Sequence, residues 1–375
     1  MRYYIIAGEP SGDLHAANMM KRLKAKDQEA YFRVWGGDKM KAEAQELAKH
    51  IRETSFMGIF TVVRNLRTIK RNFRFCEDDI MAYQPDVLIL IDNSGFNLRI
   101  AKFVKQSQLK TKIFYYILPQ SWAWKQKRVH TIQKWCDRLF AILPFEKAFY
   151  QSFGYEVDYV GHPILDALDQ SKKELMQEDD FRAEYQLGKQ PIIALLPGSR
   201  KREIKTKLPK MLKMVKYFPD HQFVIAGSEA VGEEFYHNWM SGHSKLVFGH
   251  TYDILNCAEA ALVTSGTATL ETALFAVPQV VCYQPGWLTF EILKRITKIK
   301  FICMVNLILD RMAVVELIEG DLNEQRMKKE LALLFDQGNR QRILKDYQEV
   351  ERMLGGVGAS ERVAQLMLED CSSQK

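Results

Sequence analysis

No stretch of this 375-residue chain approaches the roughly 20 apolar residues needed to span a bilayer, because charge soon interrupts every apolar run. The opening run Tyr3 to Ala7 is too short for the hydrophobic part of a signal peptide and flows into a glycine turn, so it reads as a first strand. Six cysteines are scattered without a C-x-x-C pair, several in apolar surroundings, which fits buried thiols in a reducing cytoplasm. Eight histidines form no H-E-x-x-H or close His/Cys group, so a built-in metal site is not expected. The absence of G-x-G-x-x-G argues against a dinucleotide cofactor. Glycine and proline are too few, at 21 and 11 residues, for a fibrous or disordered chain.

What is present is globular: 47% hydrophobic and 26% charged residues, with a net charge of +7 that favours anionic partners such as phosphates, acidic lipid heads or nucleic acid. The length exceeds what one core usually organises. Short β-branched or aromatic runs alternate with helical patterns, the mark of parallel sheets built from strand-helix-strand units. One series covers Tyr3–Ala7, Phe32–Trp35, Val87–Ile91, Lys112–Tyr116, Arg138–Ile142 and Val157–Val160. A second covers Ile192–Leu196, Gln222–Ala226, Lys245–Phe248, Ala260–Val263 and Gln279–Cys282. The predicted fold is therefore α/β, with two Rossmann-like doubly wound domains facing a cleft. Their expected spans are 1–168 and 191–340, joined by a charged linker at 169–190 and followed by a helical segment at 341–375 that packs back on the first domain.

Four strand ends carry candidate chemistry. The first strand runs into Gly8-Glu9-Pro10-Ser11-Gly12-Asp13, where free backbone N–H groups suit a phosphate or sugar hydroxyl. The alternative is a plain turn whose helix is capped by Ser11 or Asp13. Pro197-Gly198-Ser199-Arg200 opens the second domain's first helix, and an arginine there can pair with a diphosphate or simply face solvent. Ser265-Gly266-Thr267 offers further donors, with Glu271 one turn on as an acceptor for ribose hydroxyls; the alternative is ordinary helix capping. Asp92, at the end of Val87–Ile91, could deprotonate an acceptor hydroxyl or could start a turn.

Two further stretches suggest a surface. Trp122 and Trp124 stand beside a basic cluster that suits a phosphorylated amphiphile, although core tryptophans would look the same. In Ser55–Arg74, a helical projection puts Ile59, Val62, Val63, Leu66, Ile69 and Phe73 on one face and Arg64, Arg67, Arg71 and Arg74 on the next. Such a helix can rest on an anionic membrane or pack on the sheet.

Taken together, AGEPSGDLHAA from Ala7, SFMG from Ser55, the Asp92–Asn97 loop, LPQSWAWKQKRV from Leu118, LPFEKAFY from Leu143, VGHPILD from Val160, LLPGSRKREI from Leu195 and TSGTATLETAL from Thr264 resemble the lipid-A-disaccharide synthase family over nearly the whole chain. The resemblance implies a GT-B type glycosyltransferase that needs no metal or cofactor. It implies transfer of 2,3-diacylglucosamine from UDP-2,3-diacylglucosamine to 2,3-diacylglucosamine 1-phosphate, with inversion to a β-1,6 link and release of UDP. It also implies a peripheral place on the inner face of the cytoplasmic membrane and no nucleic-acid partner, and it allows a homodimer. By resemblance, Asp92 is the general base and Glu9 and Ser11 lie beside the reacting sugars. Ser199 and Arg200 contact the diphosphate, Ser265, Gly266 and Thr267 are donors at the helix start, Glu271 binds ribose, and Asn306 in MVNLILDR lies on the donor side. The chain departs from the family at Gly95, where some members have a second aspartate, implying a mechanism with one carboxylate. It departs again at Glu319, where a glutamine is usual and a glutamate would repel a nearby diphosphate. The rival readings are another UDP-GlcNAc enzyme of the same fold, an epimerase or the peptidoglycan GlcNAc transferase, and a non-catalytic binder of anions.

Overall fold

Strands that are apolar at every position need cover on both faces, and this sequence has several. The computed structural model describes residues 1–53, 66–123, 125–240, 244–286 and 300–372. It divides the chain into two compact units, one formed by Met1–Asp169 with Leu354–Lys375 and the other by Gln170–Met353.

The first unit begins β1 (Arg2–Ala7), α1 (Pro10–Lys26), β2 (Tyr31–Gly36), α2 (Asp38–Glu43) and β3 (Glu46–His50). It continues through α3 (Leu66–Tyr83), β4 (Val87–Ile91), α4 (Ser94–Gln106), β5 (Lys112–Tyr116), α5 (Arg128–Trp135), β6 (Arg138–Ala141), α6 (Pro144–Gln151), β7 (Asp158–Tyr159) and α7 (Ile164–Lys172). Its strands form one parallel sheet in the order β3-β2-β1-β4-β5-β6-β7. Every residue of β4 is buried, as expected of a central parallel strand with helices on both sides.

The second unit contains α8 (Glu178–Glu184), β8 (Ile192–Leu196), α9 (Lys201–Leu212), β9 (Gln222–Gly227), β10 (Ser244–Phe248), α10 (Thr251–Cys257), β11 (Ala258–Thr264), α11 (Thr267–Leu274) and β12 (Gln279–Tyr283). After these come α12 (Met304–Leu309), β13 (Val315–Ile318), α13 (Glu324–Leu333) and α14 (Gln337–Met353). Its parallel sheet has the order β10-β9-β8-β11-β12-β13. Strand order reverses between β1 and β4 in the first sheet and between β8 and β11 in the second. Loops leaving adjacent strands diverge at such a switch point and open a crevice at the strands' carboxyl ends.

Two edge strands, β3 and β13, were not among the expected ones. Glu46–His50 is half-exposed throughout, so it lacks the apolar run that marks interior strands. The expected linker at 169–190 contains α8, whose Phe181 is fully buried in the core of the second unit. Helix α14 also remains with that unit, and the returning segment starts at Leu354. Its helix α15 (Ala359–Ser372) packs on α1. The Asp166 carboxylate accepts from Gly358 N at 2.5 Å and Ser360 N at 2.7 Å, capping α15. Lys112 Nζ reaches Asp370 Oδ2 at 2.6 Å near the helix's other end.

The membrane-facing reading of Ser55–Arg74 needs correction where the structure describes it. Ile59, Val63 and the Leu66 side chain lie outside what the structure describes. From Ile69 on, α3 turns its apolar face to its own sheet: Ile69 packs against the core, and Phe73, Cys76 and Ile80 are buried in it. Arg67 and Arg71 are exposed on the other face. The helical pattern is that of a helix covering a sheet. Among the described residues, no helix is long and apolar enough to cross a membrane. Ile69→Ser should therefore lower the midpoint of urea unfolding, with a loss of about 1–3 kcal/mol. An unchanged midpoint would show that Ile69 is not part of the packing.

Candidate functional site

In the first unit, the loops after β1 and β4 meet at the switch point. A Cβ on Gly8 would stand 2.5 Å from Asn93 Nδ2, so only glycine lets the two loops approach so closely. Glu9 occupies the N-cap of α1 with extended backbone and no side-chain capping bond, while Ser11 is exposed. Asp13 does not cap its own helix. It is buried and accepts from Gly37 N at 2.7 Å, Lys39 N at 3.1 Å and Met40 N at 3.0 Å, fixing the start of α2.

Asp92 sits in an unusual backbone. Its φ is 51° and that of Asn93 is 36°, two consecutive non-glycine residues in the left-handed region. Ile117, at the end of the neighbouring strand, has φ 59°, costly for a β-branched residue, and its carbonyl accepts from Asp92 N at 3.3 Å. Each such conformation costs on the order of 1–3 kcal/mol and persists only where its surroundings hold it. Here the holders are Asn97, which donates to Ile91 O at 3.0 Å and Asp92 O at 2.9 Å, and the Tyr115 hydroxyl, which also donates to Asp92 O. Arg128 adds a bond to Ser94 Oγ at 2.6 Å. Burial raises the Asp92 carboxyl above the ordinary aspartate range, with the Asn93 backbone opposing. The Asp92 backbone is thus held in place, and a carboxylate made more basic suits proton abstraction.

Trp122 is half-buried, with its ring edge-on to Phe145 at 5.0 Å, so it belongs to the unit's own packing. Trp124 lies outside the described residues. Beneath Trp122 is Glu146, wholly buried, accepting from Ile142 N at 3.1 Å and Leu143 N at 3.0 Å. Burial pushes its carboxyl up to about 7 despite those bonds.

In the second unit, the loops after β8 and β11 flank the other switch point. Gly198 has φ 119°, and a Cβ there would meet the Glu203 side chain. Glu203 accepts from Ser199 N at 3.3 Å and from Arg200 Nη1 at 3.1 Å, and Ser199 and Arg200 are both exposed. After β11, Gly266 has φ 148° with open space where a side chain would be, and α11 starts without a side-chain cap. Gly266 and Thr267 are exposed. The helix start is therefore uncapped by a side chain and open beside Gly266, with Thr269 N returning to Gly266 O at 3.1 Å, and an uncapped helix start can hold a phosphate. Ser265 is turned away, donating to Ile302 O at 3.1 Å.

Glu271 lines a cavity of about 450 Å³ together with Leu175, Gly249, His250 and Tyr252. Tyr252 donates to Glu271 Oε1 at 2.8 Å, and His250 Nδ1 lies 2.8 Å from Asp253 Oδ2. Burial raises the Glu271 carboxyl, with Tyr252 opposing. The sequence pointed to Glu271 but not to His250 or Tyr252, whose helix is brought alongside α11 only by the sheet order.

Asn306 is not available to a donor. It is fully buried, its amide donating to Val314 O at 2.8 Å and Glu316 Oε1 at 3.0 Å while its oxygen accepts from Ala313 N at 2.8 Å and Val314 N at 3.0 Å. Glu316 in turn accepts from Ile302 N, so Asn306 braces the segment that holds Ser265. Glu319 also has a backbone partner, Gly286 N at 2.7 Å.

Comparison with known proteins adds to this geometry. A family model described as lipid-A-disaccharide synthetase matches residues 3–369. The lipid-A-disaccharide synthase of Myxococcus xanthus is 34% identical over 98% of this chain and 97% of its own length. That of Geobacter sulfurreducens is 33% identical over 100% and 98%. Among solved structures, UDP-GlcNAc 2-epimerase from Neisseria meningitidis bound to UDP-GlcNAc superposes with TM-score 0.70 at 12% identity, covering 98% of this chain and 100% of that one. The calicheamicin glycosyltransferase CalG4 does so with TM-score 0.62 at 13% identity, covering 100% and 98%.

Glu146 makes a pH prediction. Its carboxyl is raised from 4.5 to about 7 in the folded protein, so the folded state holds a proton that the unfolded state has released. Its stabilising contribution is complete below about pH 4.5 and is lost as pH rises through about 7. Stability should fall by a few kcal/mol across that window. Glu146→Gln should flatten the dependence when unfolding free energy is measured from pH 4.5 to 8.

Proposed function

Because the chain belongs to the lipid-A-disaccharide synthase family, we propose that it joins two diacylated glucosamines, taking 2,3-diacylglucosamine from its UDP conjugate and passing it to the 6-hydroxyl of 2,3-diacylglucosamine 1-phosphate. It is a glycosyltransferase of lipid A biosynthesis with a GT-B type fold. The observation that carries this reading is the family match at residues 3–369, which spans both units.

Each unit supplies part of the chemistry. In the first, Asp92 accepts the proton of the acceptor hydroxyl as its oxygen attacks the anomeric carbon of the donor sugar, and Glu9 and Ser11 border the sugars. In the second, the bond from that carbon to the diphosphate breaks and UDP leaves with the negative charge. The uncapped start of α11 and the exposed Arg200 stabilise that charge. Arg200 exchanges Glu203 for the diphosphate, and Ser199 and Thr267 add donors. The cavity at Glu271 takes the uridine, with the carboxylate accepting from ribose hydroxyls. The acylated substrates favour work at the inner surface of the cytoplasmic membrane, and the net charge of +7 suits an anionic surface.

Purified protein incubated with the two diacylated substrates should yield a disaccharide 1-phosphate, detected by mass. Turnover of soluble UDP-GlcNAc with no acylated acceptor would favour the epimerase reading instead. Asp92→Asn should cut kcat by about 10²–10⁴ while leaving UDP affinity nearly intact. The acid limb of the rate profile should lie above the ordinary aspartate range, because activity falls as pH drops through the raised carboxyl value. Arg200→Ala should weaken UDP binding by about 1.5–3 kcal/mol in calorimetry, and unaltered affinity would place the arginine elsewhere.

A further inference from the structure

Buried ionisable groups normally keep a charged partner or several N–H donors, since desolvation otherwise disfavours their ionised form. The second unit follows this rule at Asp253, which has Met176 N and His250, at Glu330 with Arg326, and at Asp346 with Arg311 and Arg342. Lys207 on α9 is different. It is 3% exposed, it forms no ion pair among the described residues, and its ammonium donates to the hydroxyl of Thr264. Thr264 ends β11, immediately before the Ser265–Thr267 turn. An ammonium cannot accept, so the Thr264 hydroxyl receives from Lys207 and its own hydrogen is left to donate elsewhere.

We propose that Lys207 is a positioning residue for the diphosphate: its buried ammonium stands behind Thr264 as a fixed positive charge that the phosphates of a uridine diphosphate sugar compensate. This rests on the nucleotide reading above and adds to it a group that the basic pattern of Lys201–Leu212 does not single out. Beyond Thr264, the titratable and charged groups that act on the ammonium come from the start of α9 and from β12. Burial lowers its basicity most, Glu203 on its own helix and Cys282 on β12 raise it, and Arg200 lowers it. An arriving dianion opposes that lowering. Proton affinity and UDP affinity are then linked, and UDP binding takes up a proton wherever the unliganded amine is partly neutral.

The test is calorimetric binding of UDP and of uridine, which lacks the phosphates, to the full-length protein and to Lys207→Met and Lys207→Arg between pH 7 and 10. Lys207→Met should bind UDP about tenfold more weakly and uridine as before. Wild-type affinity for UDP should fall with rising pH, and Lys207→Arg should retain affinity without that fall. Equal weakening of UDP and uridine in Lys207→Met means a purely structural lysine and overturns the proposal, as does a wild-type pH slope that persists in Lys207→Arg. Should Lys207→Met fail to fold, the comparison of wild type with Lys207→Arg at pH 10 decides, because equal UDP affinity there also overturns it. If the wild-type protein binds neither uridine nor UDP, the nucleotide reading itself fails.

Discussion

Parallel strand pairing governs everything else in this chain. Each strand must return through a helix to start again at the same edge, so all loops after strand carboxyl ends gather on one side of their sheet. Where strand order reverses, two neighbouring loops lead away in opposite directions and leave room between helix starts. The residues with chemical promise fall at those two reversals. Glu9 and Asp92 follow β1 and β4, while Arg200 and the Ser265–Thr267 turn follow β8 and β11. No special placement is required beyond a hydrophobic pattern that buries both faces of the central strands.

The two reversals are built on opposite principles. In the first unit, Asp92 and Asn93 both take the left-handed conformation, and side chains on α4 and β5 grip the Asp92 carbonyl. That design opposes relaxation of the loop that carries the carboxylate. In the second, Gly266 leaves the start of α11 without a side-chain cap and with open space beside it, while Thr269 N turns back to Gly266 O at 3.1 Å. A general base gains from rigid aim, whereas a diphosphate gains from several open donors whose partner arrives with the ligand.

Interior strands were legible because uninterrupted apolar runs such as VLILI and IIALL admit few other structures. The edge strand Glu46–His50 was not, because an edge tolerates charge and the pairing that makes it a strand is nonlocal. Site residues followed a similar division. The places of Asp92 and Glu271 in the fold could be read from their offset after a strand, since that offset alone sets them in a parallel sheet. Ile69, Trp122 and Asn306 could not be distinguished in this way. An apolar stripe beside arginines looks alike against lipid or a sheet, and an asparagine in an apolar run gives no sign of whether its amide meets a ligand or backbone. In the structure Ile69 and Trp122 meet packing partners, and Asn306 meets four hydrogen bonds.

Glu319 shows how a local departure from a family can be accommodated. Where the resemblance leads one to expect glutamine, its carboxylate accepts from Gly286 N, a bond that an amide oxygen would make equally well. The added negative charge does not stand alone, because Arg202 Nη2 donates to Pro285 O at 3.0 Å and lies 3.1 Å from where a Gly286 side chain would begin. Carboxylate and guanidinium therefore share the Pro285–Gly286 turn, and their fields largely cancel at a distance. The field offered to an anion at the β8/β11 reversal then comes mainly from the buried Lys207 and the start of α11, since Glu203 is paired with Arg200. On that basis the glutamate is compatible with a diphosphate site so long as Arg202 remains beside it, and the two positions should be read as a pair.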